Sequence, residues 1–327
     1  MSGKLRIGII GCGDFLRLRA ADLLSSRQVE VKLLYSPVNS ANAERYAEIF
    51  GAKAADSPEA IINDPEIDVV CVFVPPFARK EYVLAAAKAG KQIVATKPLA
   101  ADLSDAREMT EAVEQAGVRC GVIYRRTNNP VIEAYKEIFS GGEFGKLALY
   151  KQDWFHHYPT WNRWATDPQK NGGPFMDAML HNLNAARYLM GRRVVGRAFF
   201  SDDHTHSLAC DDTQFLKVDF EQGASAHLFI TWAAELAVYD SAKNDREHID
   251  QCFMVTDQGW LFRNEIREGK AVITATRNGL EKDFPVIPFE ETFFDRYAKE
   301  IKNRDILPAD LPDIREAYED LRILLEN

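Results

Sequence analysis

A glycine-rich turn near the start of the chain has the spacing that binds a dinucleotide. Gly11 and Gly13 directly follow an apolar stretch, and a helical pattern begins after them. In a dinucleotide-binding turn the first glycine permits a tight bend, the second lets the backbone approach a pyrophosphate, and the helix N-terminus receives the negative charge. The third position is usually small, and it is Leu16 here. The place of the turn between a strand and a helix favours this interpretation over an ordinary strand-to-helix turn.

The residues after the second apolar stretch bear on the kind of dinucleotide. An acidic residue at this place holds the ribose hydroxyls of NAD(H), but this stretch ends without a carboxylate. Ser36, Asn39 and Ser40 can instead hydrogen-bond a 2′-phosphate without repelling it, and Arg45 lies in the next helical segment. We therefore expect NADP(H) as the favoured cofactor and NAD(H) as the alternative. A solvated loop with little ribose contact also fits this pattern.

Three further side chains have the types that transfer of a hydride and a proton requires. Lys97 follows the apolar stretch that ends at Thr96, and open parallel sheets bind ligands at this edge of their strands. Asp177 and His181 are four residues apart, which places them on one face of a helix. A histidine titrates near neutrality, and an ammonium group stabilises a developing alkoxide. Residue types alone leave open a solvated lysine and a surface Asp–His pair.

The elements that must position these residues alternate between strand and helix in the first third of the chain. The predicted strands span 5–10, 29–35, 68–74, 92–96 and 118–123, and the predicted helices span 15–25, 41–50, 78–89 and 103–116. Continuous apolar strands of this kind suit burial on both faces. The alternation predicts βαβ units, and therefore a parallel sheet with right-handed crossovers.

The pattern changes after residue 124. Strand-like stretches at 146–155, 194–200, 213–220, 224–232, 252–256, 260–264 and 271–276 accompany helical segments at 130–139, 175–190, 290–302 and 313–325. Turn signals separate several of these strands, which favours antiparallel pairing. We predict an α/β chain with two domains. Residues 1–124 form a Rossmann dinucleotide-binding domain, and 125–327 form an α+β domain with a large, mostly antiparallel open sheet, whose last helix can pack back on the first domain.

Composition narrows the class of protein further. The 327 residues carry 40 Lys and Arg against 49 Asp and Glu, a net charge of −9. This acidic balance argues against nucleic-acid partners, and the chain has no apolar run of about 20 residues that would span a membrane. The five cysteines are scattered, without a CxxC pair, which argues for a reducing compartment. Since the first residues also lack a long apolar signal segment, we expect a cytoplasmic protein.

Two later segments make the pattern specific. They are AGKQIVATKPLA at 89–100 and NGGPFMDAMLHNLNAARYLMG at 171–191. Together with the opening glycine turn, they resemble the glucose–fructose oxidoreductase / inositol dehydrogenase / MocA (Gfo/Idh/MocA) family over nearly the whole chain. The resemblance implies a pyridine-nucleotide oxidoreductase that acts on CH–OH groups of sugars, inositols or related polyols, without a metal.

The same resemblance implies roles for individual residues. The lysine of the family's Glu-Lys-Pro motif corresponds to Lys97, and the acid and base of its Asp-x-x-x-His helix correspond to Asp177 and His181. The family's glutamate is replaced by Thr96, and the aspartate often found three residues after the histidine is Asn184. We expect an active enzyme with altered local electrostatics, in which either Lys97 or His181 transfers the proton.

The predicted contacts with ligands follow from these motifs and from an aromatic stretch at 154–164, whose faces and polar edges suit a sugar. The predicted cofactor contacts are Gly11, Gly13, Asp14, Phe15, Ser36, Asn39, Pro75, Lys97 and Pro98. The predicted substrate contacts are Lys97, Arg126, Tyr158, Trp161, Arg163, Trp164, Asp177 and His181. The aromatic stretch also fits a packed segment between domains. An Asp/His cluster at 202–212 has metal-ligand chemistry, but we interpret it as a hydrophilic loop.

Three other functions stay open. The cofactor can act transiently in an elimination or a glycoside cleavage, without net consumption. The chain can be a non-catalytic sensor of NADP(H). It can also be an interaction protein built on its open sheet. Because relatives in the family use this sheet for assembly, the resemblance also implies a homodimer or homotetramer.

Overall fold

The computed structural model describes residues 3–155, 163–233, 249–303 and 311–326. The chain forms two compact units, one of residues 1–128 with 289–327 and one of residues 129–288. The sequence places the boundary after residue 124 and returns only the last helix to the first domain. The structure instead returns the whole stretch from residue 289. One reason is Tyr297, which is buried against Gly121 and donates a hydrogen bond to the carbonyl of Arg119 at 3.0 Å.

The first unit is built on a parallel sheet, as predicted, but the sheet has six strands where the sequence predicted five. Its strands are β1 (Leu5–Ile10), β2 (Val29–Tyr35), β3 (Lys53–Ala54), β4 (Val69–Val72), β5 (Gln92–Thr96) and β6 (Cys120–Ile123). The order β3-β2-β1-β4-β5-β6 is that of the Rossmann fold. The hydrophobic pattern missed β3 because two exposed residues are too short to show one.

The helices of the first unit alternate with these strands along the chain, and two more follow residue 289. They are α1 (Asp14–Ser25), α2 (Ser40–Phe50), α3 (Pro58–Ile62), α4 (Lys80–Lys88), α5 (Leu103–Ala116), α8 (Phe293–Lys302) and α9 (Ile314–Leu325). Side-chain oxygens cap most of their first turns, as Asn39 does for α2 and Asp102 for α5. The short α3 was not predicted, although Ser57 and Pro58 form a typical helix start.

Asp295 attaches helix α8 to the start of the Rossmann fold. Its carboxylate accepts hydrogen bonds from the Ser26 hydroxyl at 2.7 Å and from the backbone N–H of Arg27 at 2.9 Å. It also forms a capping box with Thr292. Burial alone raises its pKa, but the hydrogen bonds from Ser26 and Thr292 more than offset this effect, so the pKa of Asp295 is lowered.

The second unit is built on an eight-stranded sheet beside two longer helices. The helices are α6 (Pro130–Ser140) and α7 (Leu180–Met190), and the strands are β7 (Leu147–Phe155), β8 (Val194–Asp202), β9 (Thr213–Phe220), β10 (Ala224–Thr231), β11 (Ile249–Thr256), β12 (Leu261–Arg267), β13 (Lys270–Arg277) and β14 (Leu280–Pro285). The order is β14-β13-β12-β11-β7-β10-β9-β8. Every pairing is antiparallel except β7 with β10, which confirms the predicted mostly antiparallel sheet.

The two faces of the large sheet differ. Alternate residues such as Leu216 and Leu228 are fully buried on the face that α7 contacts. The opposite face carries aromatic rings, and Phe200 on this face is 58 % exposed. Its ring centroid lies 6.1 Å from that of Phe215. Within the described part of the chain, no helix has the length and apolar character needed to cross a membrane.

Candidate active site

The predicted cofactor residues follow the parallel strands of the first unit. Gly11 follows β1, Ser36 follows β2, Pro75 follows β4 and Lys97 follows β5. Because these strands are all parallel, their carboxyl ends lie at one edge of the sheet. The strand order reverses between β1 and β4, and open α/β sheets bind ligands at such a point.

Gly11 occupies a position that no other residue tolerates. Its φ is +105°, and a Cβ would lie 2.7 Å from the backbone carbon and oxygen of Phe73. Its N–H donates to the carbonyl of Tyr35 at 2.8 Å. The first glycine is therefore required by the close passage of β1 beside the end of β4.

Gly13 has the opposite property. A Cβ on this residue would meet no atom within 4 Å, so the space above it is open. Gly13 is also the N-cap of α1, and no side chain caps the first turn of this helix. Open space at an uncapped helix N-terminus fits a dinucleotide pyrophosphate, because the backbone N–H groups and the helix dipole both favour an anion.

The neighbours of Gly13 show how the turn is supported. Leu16 is fully buried, so the third motif position is filled by a core side chain. The ring of Phe15 packs edge-on against Phe73, with 5.0 Å between the two ring centroids. Asp14 is exposed and pairs with Arg17 at 3.5 Å.

The loop after β2 is organised by its own polar side chains. The Oδ1 of Asn39 accepts from the N–H of Ala41 at 3.2 Å, and the Oγ of Ser36 accepts from the N–H of Asn39 at 3.4 Å. The guanidinium of Arg45 lies 4.9 Å from the ring centroid of Tyr46. The Ser36 hydroxyl keeps its own proton for donation, whereas the Asn39 oxygen serves as a helix cap.

Lys97 lies in a tight turn at the end of β5. The Lys97–Pro98 peptide bond is cis, and Thr96 and Leu99 on either side are buried. The hydroxyl of Thr96 donates to the carbonyl of Lys97 at 2.9 Å. Thr96 therefore has a local structural partner at the position where the resembled motif has a glutamate.

Asp177 and His181 lie on one continuous helical segment, but not on a regular α-helix as predicted. Residues Phe175–Met179 form a π-helical turn, and α7 follows directly. A π-helical turn has hydrogen bonds from residue i to i+5, and such turns are frequent at functional sites. Within residues 173–186, Asp177 and His181 are the two that are not buried. Both residues are therefore partly exposed, unlike their neighbours in this segment.

The start of this helix is held by a glutamine that the sequence did not reveal. Gly173 has a φ of +108°, and a Cβ there would lie 3.1 Å from the carbonyl oxygen of Asp211. The Oε1 of buried Gln214 accepts from the N–H of Phe175 at 2.8 Å, and its Nε2 donates to the Ser201 hydroxyl at 3.1 Å. Gln214 thus caps the helix that carries Asp177.

The remaining residues that were predicted to contact the substrate lie in different environments. Arg126 is 1 % exposed, and its guanidinium pairs with Glu316 of α9 at 3.0 Å. Trp164 is half-buried in a short 3₁₀ turn, where only the backbone of Arg163 is described. Tyr158 and Trp161 lie outside the described residues.

The acidic and histidine-rich loop at 202–212 is organised around one carboxylate. Asp212 is fully buried, and its oxygens accept from the N–H and the hydroxyl of Thr205, at 2.8 and 2.7 Å. They also accept from the Thr213 hydroxyl at 2.8 Å. Burial alone raises the pKa of Asp212, but the hydrogen bonds from Thr205 and Thr213 outweigh it and lower that pKa. In this arrangement Asp212 holds its own loop together.

A second residue absent from the predictions is Arg79, which precedes α4. It is 1 % exposed, and its guanidinium donates to carbonyl oxygens around the Lys97 turn. An arginine three residues after a pair of prolines gives no recognisable sequence signal for such a role. Only the folded chain shows which carbonyl groups surround it.

These features define a dinucleotide-binding α/β fold joined to a sheet-based second unit, and the comparisons agree. Residues 5–124 match the description "Oxidoreductase family, NAD-binding Rossmann fold", and residues 132–245 match "GFO/IDH/MocA C-terminal domain". The chain belongs to the Gfo/Idh/MocA family of oxidoreductases, as its motifs implied.

Individual relatives span most of the chain. Scyllo-inositol 2-dehydrogenase (NAD(+)) of Bacillus subtilis is 24% identical over 313 residues, 93% of this chain and 86% of that protein. Myo-inositol 2-dehydrogenase of Thermotoga maritima is 27% identical over 313 residues, 91% of this chain and 86% of that protein. The fold is similar to aldose-aldose oxidoreductase from Caulobacter crescentus complexed with glycerol. That comparison has a TM-score of 0.82 and 19% identity, covering 98% of this chain and 95% of that one.

Proposed function

We propose that this protein is an NADP(H)-dependent oxidoreductase that interconverts a carbinol and a carbonyl carbon of a sugar, an inositol or a related polyol. The observation that carries the proposal is the contrast between two glycines. No Cβ fits at Gly11, and a Cβ at Gly13 would occupy open space above an uncapped helix N-terminus. This combination suits a dinucleotide pyrophosphate. The inositol dehydrogenases among the relatives support the substrate class.

Lys97, Asp177 and His181 carry the chemistry in this proposal. A bound nicotinamide dinucleotide supplies the hydride acceptor or donor at its C4 position. The chain must then move the hydroxyl proton and stabilise negative charge on the same oxygen. His181 suits the proton transfer because an imidazole titrates near neutrality. Lys97 stabilises the alkoxide with its ammonium group, and Asp177 orients the imidazole or binds a substrate hydroxyl.

The preference for NADP(H) rests on the loop after β2. Residues 36–40 hold no carboxylate, so nothing in this loop repels a 2′-phosphate. The Ser36 hydroxyl accepts a weak backbone bond at 3.4 Å and has its proton available for a phosphate oxygen. In this proposal the loop binds the adenosine ribose of the cofactor, and the first turn of α1 binds its pyrophosphate.

The aromatic face of the large sheet supports a proposed assembly. Phe155 and Phe229 lie 5.2 Å apart between centroids on the face that carries Phe200 and Phe215. The same face also carries the ion pairs Lys151–Asp153 and Lys217–Asp219, and a patch of aromatic rings with charged neighbours is typical of a protein–protein interaction site. We therefore propose a homodimer or homotetramer that pairs this face with a second copy.

A titration of the purified protein with NADPH and with NADH, followed by nicotinamide fluorescence, tests the cofactor site. Tight NADPH binding with weak NADH binding supports the proposal. The reverse preference keeps the oxidoreductase class and contradicts the argument from Ser36. If neither dinucleotide binds, the site is not a dinucleotide site.

A screen of polyols tests the reaction. Myo-inositol, scyllo-inositol, D-glucose and glycerol are incubated with NADP⁺ and with NAD⁺, and reduced nicotinamide is followed by absorbance. Net reduction of NADP⁺ or NAD⁺ in the presence of one of these compounds supports a dehydrogenase. Product formation without net consumption of cofactor identifies the transient use of the cofactor instead. No turnover on any of the four contradicts the proposed reaction.

A further inference from the structure

Arg79 is a charged side chain buried at the carboxyl edge of the Rossmann sheet. It is 1 % exposed, and burial lowers the pKa of its guanidinium to about 10. Its Nη2 donates to the carbonyl of Val74, just after β4, at 2.7 Å. Among the described residues no carboxylate pairs with it, so its positive charge is stabilised by hydrogen bonds to backbone carbonyl groups.

Most of those carbonyl groups belong to the turn that holds Lys97. The Nη1 of Arg79 donates to the carbonyl oxygens of Thr96 at 2.6 Å and Leu99 at 2.9 Å, and also to that of Pro98. The carbonyl of Lys97 itself accepts from the Thr96 hydroxyl. Every carbonyl oxygen from residue 96 to residue 99 therefore has a side-chain donor.

Burial of an arginine is an unfavourable means of stabilising a turn. Removing a guanidinium from water carries a large desolvation penalty, and apolar side chains of similar volume often stabilise a buried site equally well. What the planar guanidinium adds is fixed geometry, since Nη1 bonds the Lys97 turn while Nη2 bonds the carbonyl of Val74 after β4, and the rigid group sets the distance between them.

We propose that Arg79 is a positioning residue for Lys97. By bonding the backbone on both sides of Lys97, it fixes the direction in which the lysine side chain leaves the turn. This inference rests on the proposed function of Lys97. Positioning of this kind affects turnover strongly, because a displacement of about 1 Å can cost about 100-fold in rate.

A double-mutant cycle tests the inference, with myo-inositol and NADP⁺ as the first probe and the other polyols of the screen if myo-inositol is not turned over. Arg79→Lys keeps the positive charge but loses the planar fork. It should lower kcat by about 10- to 100-fold, while the KM for the polyol and the affinity for NADPH change by less than about threefold. In the Lys97→Ala background the same substitution should change the residual kcat by less than about twofold, because the positioned group is gone.

Arg119→Lys is the matched control. Arg119 also donates to a backbone carbonyl, that of Leu311 at 3.2 Å, but it precedes β6 at the opposite end of the strands. Its substitution should leave kcat within about twofold of wild type. Arg79→Gln provides a second, uncharged variant, and the NADPH titration and thermal unfolding report whether each variant is folded.

Each other outcome overturns the inference in a distinguishable way. An equal loss of kcat with and without Lys97 shows a general structural effect, and so does loss of NADPH binding or of cooperative unfolding in both Arg79 variants. Wild-type turnover in Arg79→Lys also overturns it. Full turnover in Lys97→Ala, or no turnover of any polyol by the wild type, contradicts the proposed function itself.

Discussion

At the scale of single residues, the predicted site residues lie in sharply different surroundings. Gly11 has no room for a Cβ, whereas Gly13 has open space above it. Thr96 makes a local bond at the position where the resembled motif has a glutamate. In the helical segment 173–186, Asp177 and His181 are partly exposed whereas their neighbours are buried. These contrasts separate the residues that shape the site from those proposed to perform its chemistry.

Replacing the proposed catalytic residues should reduce turnover without abolishing cofactor binding. We expect Lys97→Ala and His181→Ala each to lower kcat by about 10²- to 10⁴-fold, since charge stabilisation and proton transfer act mainly in the transition state. His181→Ala should also remove one ionisation from the pH dependence of kcat. Steady-state kinetics and the NADPH titration measure both effects.

Two variants serve as controls for these substitutions. Lys91 precedes the same strand β5 and donates to the carbonyls of Asp64 and Ile67, and His206 is an exposed histidine paired with Asp203. Lys91→Ala and His206→Ala should keep turnover within about threefold of wild type. Wild-type kcat in both Lys97→Ala and His181→Ala would show that the assignment of roles is wrong.

Ser36 is the residue on which the cofactor preference can be tested. Ser36→Asp places a carboxylate at the end of β2, where it repels a 2′-phosphate and accepts ribose hydroxyls. We expect NADPH affinity to fall by at least about 10-fold relative to NADH affinity, measured by nicotinamide fluorescence. Ser25→Asp adds the same charge at the far end of α1 and should leave the ratio unchanged. An unaltered ratio in Ser36→Asp contradicts the argument for NADP(H).

At the scale of secondary-structure elements, side-chain hydrogen bonds between residues distant in sequence hold two helical segments in place. Gln214 caps the π-helical turn before α7 from strand β9, and Asp295 joins α8 to the segment between α1 and β2. Neither partner is close in sequence. The helix that carries Asp177 and the helix α8 are therefore both held by contacts with residues outside their own sequences.

The bond network of Asp295 predicts a pH-dependent stability. Asp295→Asn should lower the free energy of unfolding at pH 7 by about 1–3 kcal/mol, because a buried acceptor of several N–H and O–H groups is lost. The pKa of Asp295 is lowered in the folded state. Its contribution is therefore present above the unfolded pKa of about 3.9 and disappears as the pH falls through the folded pKa. Urea unfolding at pH 7, 5 and 3.5 should show the difference from wild type shrinking only at the lowest pH.

Asp102→Asn is the control for that measurement. The Asp102 carboxylate makes a local cap bond to Asp105 in α5, and asparagine caps a helix equally well. We expect a change of less than about 0.5 kcal/mol at every pH. A difference for Asp295→Asn that is as small as the control's, or that is unchanged at pH 3.5, would contradict the role of Asp295.

At the scale of the whole molecule, the proposed assembly predicts that the aromatic face of the eight-stranded sheet meets a second copy. Phe200→Asp places a charge in its aromatic patch and should shift the protein toward the monomer in light scattering at micromolar concentrations. Ile266→Asp is the control. Ile266 is 70 % exposed, but it lies on the same face of β12 as the buried Phe262, which is the face opposite to the one that carries Phe200. A wild-type protein that is monomeric at these concentrations would refute the proposed assembly.

Much of the fold follows from local sequence patterns. The alternation of apolar strands with amphipathic helices determined the parallel Rossmann sheet, since buried parallel strands need continuous apolar runs. The elements that it missed, β3, α3 and β14, are short or largely exposed, so they carry little hydrophobic pattern. The glycine turn and the two family motifs could be recognised in the sequence for a similar reason, because each consists of neighbouring residues.

Only the tertiary structure decided which distant groups support that site. The chain returns to the first unit at residue 289, Arg79 bonds the Lys97 turn across 17 to 20 positions of sequence, and Gln214 caps a helix 39 positions away. Sequence patterns report which face of an element is apolar. They do not report which carbonyl or N–H group a buried polar side chain will meet, because that partner is set by the packing of elements that are remote in the chain.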